Sequence, residues 1–178
     1  MTCSNRPAET KPLGRSNRPN EALTKITKHP HMSIETIGID HIYIAVSDLG
    51  RSEQFYDRVM HVLGFRKNTF NNEGDHHIQY YNRHFGYVLR PARTSARAHD
   101  PFAPGLHHFC FRVEDAAAVD AVARRFAELQ VICSPPQLYP EYAIDYYATF
   151  FSDPDGIRLE VTNYRAERRK RFEDWDHA

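Results

Sequence analysis

The sequence predicts an α+β fold built from two copies of one strand–helix–three-strand module. Each half of the chain contains an alternating segment, then a helical segment, then three short alternating segments. Aligning the first strands of the two halves places His41 over His108. Period-two alternation is typical of half-buried strands, and apolar residues three and four apart are typical of amphipathic helices. The duplicated pattern therefore indicates the fold class.

The first module opens with a strand from residue 39, where His41 and Tyr43 share one face because successive side chains alternate. Ser47 and Asp48 are candidate N-caps for the helix that follows, and Gly64 is a candidate terminator. Three further strands are predicted over 65–70, 76–82 and 85–92.

The second module repeats this order after Gly105. Its first strand places His108 and Cys110 on one face, and Glu114 and Asp115 are candidate caps for the next helix. Further strands are predicted over 131–139, 146–152 and 156–164. The last two are joined by the turn sequence DPDG, and alternation separates Glu160 from its apolar neighbours.

Composition excludes several functional classes. The 178 residues carry 23 basic and 23 acidic side chains, so no net positive field predicts nucleic-acid binding. No apolar run approaches the roughly 20 residues of a membrane-spanning helix. The start lacks an apolar signal-peptide core, and three cysteines form no disulfide framework. We therefore expect a cytoplasmic protein without nucleic-acid or membrane partners.

The chain divides into three predicted parts. Residues 1–33 contain few large apolar side chains, so we expect disorder there. Residues 34–164 form the folded domain, with modules over about 37–94 and 104–164, and residues 165–178 form a charged tail. Two explanations of residues 1–33 stay open. Either translation begins at Met32 and the segment is an upstream extension, or the segment is a targeting arm.

The duplicated unit, the strands HIYIAV and HHFCFRV, and the closing DPDGIRLEV resemble the vicinal-oxygen-chelate superfamily. That superfamily includes glyoxalase I, methylmalonyl-CoA epimerase, fosfomycin- and bleomycin-resistance proteins and extradiol dioxygenases. The resemblance spans roughly residues 37–164. It implies a curved, partly closed eight-stranded mixed sheet around a metal cleft, and a homodimer. Whether the modules pair within one chain or between two chains stays open.

The resemblance also implies the metal ligands His41, His108 and Glu160. We expect them to converge from three strands of one sheet. Two imidazoles and one carboxylate suit one divalent Fe, Mn, Ni or Zn ion. The structural alternative is that the histidines form hydrogen bonds and Glu160 has another partner. We assign the ligand to His108 because register places His107 on the helix-packing face.

A fourth protein ligand, present in glyoxalase I and the epimerase, is not expected here. Aligning Gly86 with Gly156 places Arg90 opposite Glu160. An arginine has no available lone pair for a metal. Arg90 is instead a candidate to bind an anionic substrate through its planar fork, the alternative being a surface arginine.

The implied function is divalent-metal-dependent catalysis of lyase or isomerase type on a small oxygen-chelating substrate. Glu160 is a ligand that also serves as a base, and Tyr43 is a candidate hydrogen-bond donor to the substrate. Tyr147 and Phe150 are candidate substrate-binding residues, and a core position is the alternative for Tyr147.

Two other functions remain open at this point. One is an Fe(II) extradiol dioxygenase, although the tyrosine and histidine typical of such enzymes are replaced by Phe150 and Glu141. The other is a non-catalytic drug- or metabolite-binding protein of the bleomycin-resistance type. The sequence identifies neither the substrate nor the metal.

Overall fold

The first module follows the predicted order. Its elements are β1 (His41–Val46), α1 (Leu49–Val62), β2 (Arg66–Asn72), β3 (Asp75–Tyr81) and β4 (Gly86–Pro91). The Asp48 carboxylate caps α1 by accepting a hydrogen bond from the backbone N–H of Arg51 at 3.0 Å. Gly64 follows the helix with φ +78°, a conformation that favours glycine.

The second module has the same order with one shortened strand. Its elements are β5 (Phe109–Val113), α2 (Ala116–Glu128), β6 (Gln137–Leu138), β7 (Tyr147–Ser152) and β8 (Arg158–Asn163). The Asp115 carboxylate caps α2 through the N–H of Ala118 at 2.8 Å. The strand predicted over 131–139 shrinks to two residues because Pro135 and Pro136 offer no N–H to a ladder.

The strands form two four-stranded sheets, in the orders β1-β4-β3-β2 and β5-β8-β7-β6. In each sheet the first strand pairs in parallel with the last strand of its own module, and the remaining pairs are antiparallel. The α+β class and the two modules are confirmed. The eight strands do not form the single sheet implied by the resemblance, because each strand pairs only within its module.

One hydrophobic core joins the two modules. Tyr56 and Met60 of α1, Phe126 of α2 and strand residues of both sheets belong to the same buried cluster. The rings of Phe65 from the first module and Phe111 from the second meet edge to face at 6.2 Å. Since the helix-facing surfaces of both sheets share this core, the opposite surfaces of the two sheets lie away from it.

The DPDG turn of the second module also contacts the first. Its Asp155 carboxylate accepts a hydrogen bond from the backbone N–H of Ser47 at 2.7 Å and forms an ion pair with Arg51 at 2.8 Å. The side-chain hydroxyl of Ser47 donates to the same carboxylate. These contacts connect the turn that precedes β8 to the junction between β1 and α1.

The structure is a computed structural model that describes residues 34–94 and 99–175. The tail predicted over 1–33 and the last three residues lie outside them. From Thr36 onward the chain forms one compact unit. Within the charged segment, α3 spans Ala166–Glu173. None of the helices in the described ranges has the length and apolar character needed to span a membrane.

Candidate metal centre

Glu160 and His108 form the centre of the candidate site. Glu160 lies on β8 beside Cys110 of β5, and His108 immediately precedes β5. Nε2 of His108 stands 3.5 Å from Oε2 of Glu160. The Glu160 residue is only 2% exposed. A buried carboxylate requires a partner, and the imidazole faces it from the neighbouring strand.

Tyr146 is the second partner of Glu160. Its hydroxyl donates a hydrogen bond to Oε1 at 2.5 Å. Burial, together with this bond, raises the pKa of Tyr146 well above its ordinary value, so the phenol keeps its proton and remains a donor. The sequence contains a signal for this role, because Tyr146 directly precedes the strand that pairs with β8.

Cys110 lies beside Glu160 but does not supply a thiolate. Burial and the neighbouring Glu160 carboxylate both raise the pKa of the Cys110 thiol. A protonated thiol is a poor ligand and a poor nucleophile. Cys110 therefore fills space next to the carboxylate.

His41 lies on the other sheet, and this is where the structure departs from the expected convergence. Its Nδ1 stands 2.6 Å from Oδ2 of Asp40, which leaves Nε2 available as a ligand. Within residues 34–94 and 99–175, no three His, Cys, Asp or Glu side chains come together as a complete metal-ligand set. The expectation of one shared sheet was wrong because β1 pairs with β4 alone, whereas Glu160 belongs to the second sheet.

Tyr43 accompanies His41 on the same face of β1. The two rings meet edge to face at 5.4 Å, and Tyr43 is 43% exposed. The ring of His77 lies 5.8 Å from Tyr43 and is stacked on Phe70 at 5.0 Å. His77, on the internal strand β3, is 1% exposed.

A cavity of about 380 Å³ adjoins Tyr43 and Ala45. The segment before β5 closes its other side with His99 and Leu106. Nε2 of His99 is buried without a hydrogen-bond partner among the described residues. The cavity lining does not include His108 or Glu160.

Phe150 and Tyr147 lie on opposite faces of β7. Phe150 is the direct neighbour of Glu160 across the β7–β8 ladder. The hydroxyl of Tyr147 instead donates to Oδ1 of Asp120 on α2 at 2.9 Å. The structure thus places Phe150 beside the carboxylate and Tyr147 in the helix–sheet interface, where its hydrogen bond fixes the helix.

Arg90 differs from its predicted position. Tyr43 pairs with Val88, whereas Cys110, the corresponding residue of the second module, pairs with Glu160. Val88 is therefore the register equivalent of Glu160, and the alignment of Gly86 with Gly156 was displaced by two residues. Valine offers no metal lone pair. The Arg90 guanidinium forms an ion pair with Asp75 at 2.8 Å.

Comparison with known proteins identifies the family. Residues 38–161 match the model of the Glyoxalase/Bleomycin resistance protein/Dioxygenase superfamily. The chain belongs to this superfamily. A relative in Escherichia coli (strain K12), uncharacterized protein YaeR, is 32% identical over 132 residues, which are 69% of this chain and 93% of the relative.

Solved structures of other superfamily members share the fold. A glyoxylase/bleomycin resistance protein/dioxygenase domain from Frankia sp. EAN1pec has a TM-score of 0.61 at 23% identity, covering 74% of this chain and all of that one. Lactoylglutathione lyase from Agrobacterium tumefaciens has a TM-score of 0.52 at 24% identity, covering 75% and 96%. The antibiotic-binding protein TnmS3 from Streptomyces sp. CB03234 has a TM-score of 0.53 at 22% identity, covering 75% and 98%.

The donor set of the chain is chemically suited to a divalent cation. Glu160 and His108 offer a carboxylate oxygen and an imidazole nitrogen 3.5 Å apart, on rigid neighbouring strands. The Tyr146 hydroxyl donates a hydrogen bond to the other oxygen of the carboxylate, Oε1, and hydrogen bonds of this kind commonly orient metal ligands. The pair therefore fits two positions of a cation site.

Proposed function

We propose that this chain is a divalent-metal-dependent enzyme, of lyase or isomerase type, acting on a small substrate that offers two neighbouring oxygens. The observation that carries the proposal is the buried Glu160 carboxylate, held at Oε1 by Tyr146 and faced at Oε2 by His108. Burying a carboxylate next to an imidazole is costly unless a charge or strong donor compensates it. Tyr146 compensates Oε1, and a cation held jointly with His108 would compensate Oε2.

The residues of the chain have separate roles in this proposal. His108, Glu160 and His41 would hold the cation, which when bound would supply Lewis-acid stabilisation of negative charge on the substrate oxygens. Tyr146 keeps its proton and fixes Oε1 of Glu160, so that Oε2 is the oxygen left to hold the cation and, on leaving the cation, to take a proton from the substrate. Tyr43, half-exposed beside His41, donates a hydrogen bond to the substrate.

The proposal includes a homodimer. His41 is on the first sheet and the Glu160–His108 pair is on the second, and both lie on sheet faces directed away from the common core. A second copy of the chain that presents its His41 to the pair completes the three-ligand set. In a two-fold symmetric dimer the same contact occurs twice, so two sites form.

The decisive experiment is anaerobic purification of the full chain without chelator, followed by metal analysis. We expect one divalent ion per chain. His108→Ala and Glu160→Gln should each lower the metal content to near zero, since two remaining ligands bind weakly. The matched control is His76→Ala, because His76 is an exposed histidine whose ring contacts Asn71.

The identity of the metal then separates the reaction types. Zn, Ni or Mn, with turnover of an oxygen-chelating substrate, supports the lyase or isomerase. Bound Fe(II) with oxygen uptake on catechols would replace this proposal with a dioxygenase. Wild-type protein that folds and dimerises yet binds no divalent ion would rule out a metal-dependent activity.

A non-catalytic binding protein is the second candidate. It is favoured by the aromatic side chains around the Glu160 face: Tyr139 meets Phe150 at 5.1 Å, and Tyr142 meets Tyr146 at 5.4 Å. Such rings bind planar ligands without any chemistry. Tight ligand binding that is unchanged in Glu160→Gln and independent of metal would select this candidate.

A further inference from the structure

Arg165 is the half-buried arginine of the described chain that has no acceptor. The other half-buried arginines all donate hydrogen bonds: Arg58 to backbone carbonyls of Gln54 and Leu129, Arg90 to Asp75, and Arg169 to Glu114 and the carbonyl of Tyr164. Across residues 34–94 and 99–175, Arg165 forms no ion pair and donates no hydrogen bond. Its guanidinium carbon instead lies 5.0 Å from the centre of the Tyr146 ring.

The position of Arg165 connects it to the candidate site. The ring that it covers is the ring whose hydroxyl holds Glu160. The nearby Asp145 accepts the backbone N–H of Ala166 through Oδ2 at 2.7 Å, and within the described residues its carboxylate forms no ion pair with the Arg165 guanidinium. An uncompensated guanidinium therefore lies one tyrosine ring away from the proposed metal ligand.

We propose that Arg165 binds a carboxylate of the substrate, next to the oxygens that reach the Glu160–His108 pair. This inference rests on the proposed function and narrows its substrate to a small carboxylic acid with two additional neighbouring oxygens. A guanidinium presents its N–H donors in a plane that matches a carboxylate in two parallel hydrogen bonds. With its guanidinium carbon 5.0 Å from the centre of the Tyr146 ring, the Arg165 side chain is already restrained next to the site, which lowers the entropy it loses on binding.

Arg90 does not compete for this role. Its guanidinium already forms an ion pair with Asp75 at 2.8 Å, and Arg93 contacts the same carboxylate at 3.2 Å. A substrate anion at Arg90 would have to displace an existing carboxylate. At Arg165 it meets a guanidinium that forms no ion pair with any acidic side chain in residues 34–94 and 99–175.

The test compares two probes that differ by one charge. 2-Oxoglutarate and its 5-methyl ester share the neighbouring oxygens, but only the acid carries the remote carboxylate. Both are titrated calorimetrically into the full chain loaded with Mn(II). Wild type should bind the acid about 10-fold or more tightly than the ester, as expected of a charge-assisted hydrogen-bonded pair.

Variants test whether Arg165 causes the tighter binding of the acid. Arg165→Gln should bind acid and ester equally, whereas Arg168→Gln, at an exposed arginine of the same helix, should keep the wild-type ratio. Arg165→Met keeps the aliphatic packing against Tyr146, so it serves as a second charge-removing variant if the glutamine variant does not fold. Equal binding of the two probes by wild type, or an unchanged ratio in both Arg165 variants, overturns the inference.

A metal-free arm separates this inference from the proposed function. Glutarate and its monomethyl ester are titrated into protein stripped of metal, and metal content is measured on parallel samples. If the protein binds no metal but still prefers glutarate to its ester, and loses this preference in the Arg165 variants, the anion site is supported and the metal-dependent enzyme is overturned. If the protein binds metal but binds the acid and the ester of each pair equally, the Arg165 carboxylate site is overturned and the metal-dependent enzyme is not.

Discussion

The hydroxyl of Tyr56 donates a hydrogen bond to Oδ2 of Asp153 at 3.0 Å, joining the helix of the first module to the turn of the second. Tyr56 is fully buried and Asp153 is 5% exposed. Oδ1 of the same carboxylate accepts the backbone N–H groups of Asp155 and Ile157 at 2.9 and 2.8 Å. The first aspartate of DPDG therefore organises its own turn and anchors that turn to the other module.

Tyr56→Phe should lower the free energy of unfolding by about 1–3 kcal/mol, because it removes one donor from a buried carboxylate. Urea unfolding followed by circular dichroism measures the change. Tyr80→Phe is the matched control: its hydroxyl donates to Asp57 at 2.7 Å, but the Asp57 side chain is 44% exposed, so water can replace the lost donor. An equal loss in both variants would contradict the structural role of the buried bond.

Acidification should stabilise wild type relative to Asp153→Asn. Burial raises the pKa of Asp153 above its usual 3.8, although the N–H of Ile157 and the hydroxyl of Tyr56 oppose the shift. A folded-state pKa above the unfolded one makes the ionised carboxylate costly at neutral pH, and that cost disappears as pH falls through the folded-state pKa. The stability difference between wild type and variant, measured by urea unfolding, should shift toward wild type between about pH 7 and about pH 4. A pH-independent difference would contradict the raised pKa.

Tyr146→Phe and Tyr147→Phe should have opposite consequences, although the residues are adjacent. Removing the Tyr146 hydroxyl releases Oε1 of Glu160, so metal affinity should fall about 10-fold or more, with little change in stability. Removing the Tyr147 hydroxyl breaks the bond to Asp120, so stability should fall by about 1 kcal/mol while metal affinity is retained. Metal titration and urea unfolding of both variants measure the two effects. Equal metal affinity in both would exclude a supporting role for Tyr146.

Mixing two inactive variants tests whether the ligands come from two chains. His41→Ala and Glu160→Gln proteins, unfolded and refolded together in equal amounts, form mixed dimers in which one site is intact and the other lacks both residues. Random pairing restores about one quarter of the wild-type metal sites. Each variant refolded alone is the control and should restore none. A mixture that also restores none would place all three ligands within one chain.

Most secondary structure could be predicted because its causes are local. Asp48 and Asp115 cap their helices as expected, since a cap depends only on the next turn of backbone. Alternation also separated Glu160 from its apolar neighbours Leu159 and Val161, which belong to the core. Alternation did not distinguish the two expected positions of Tyr147, because an aromatic residue suits a cleft and a helix–sheet interface equally well. The structure places it in the interface.

The errors arose where a residue's role depends on distant parts of the chain. Gly156 has φ +86° and lies in a turn, whereas Gly86 is already in β4, beside His41. The two glycines were therefore poor markers for alignment, and Arg90 was placed two residues away from its register. Local sequence pattern also could not predict which strands pair. The first strand of each module could pair with strands of its own module or of the other, and alternation does not distinguish the two.

The short β6 has a consequence beyond the module that contains it. An outer strand exposes unpaired N–H and C=O groups, and such an edge recruits strands of other molecules into aggregates. Pro135 and Pro136 leave only Gln137 and Leu138 in this outer ladder. At the outer edge of the first sheet, β2 begins with the charges of Arg66 and Lys67. Prolines on one sheet and cations on the other thus discourage edge-to-edge polymerisation, while the sheet faces directed away from the common core stay available for recognition.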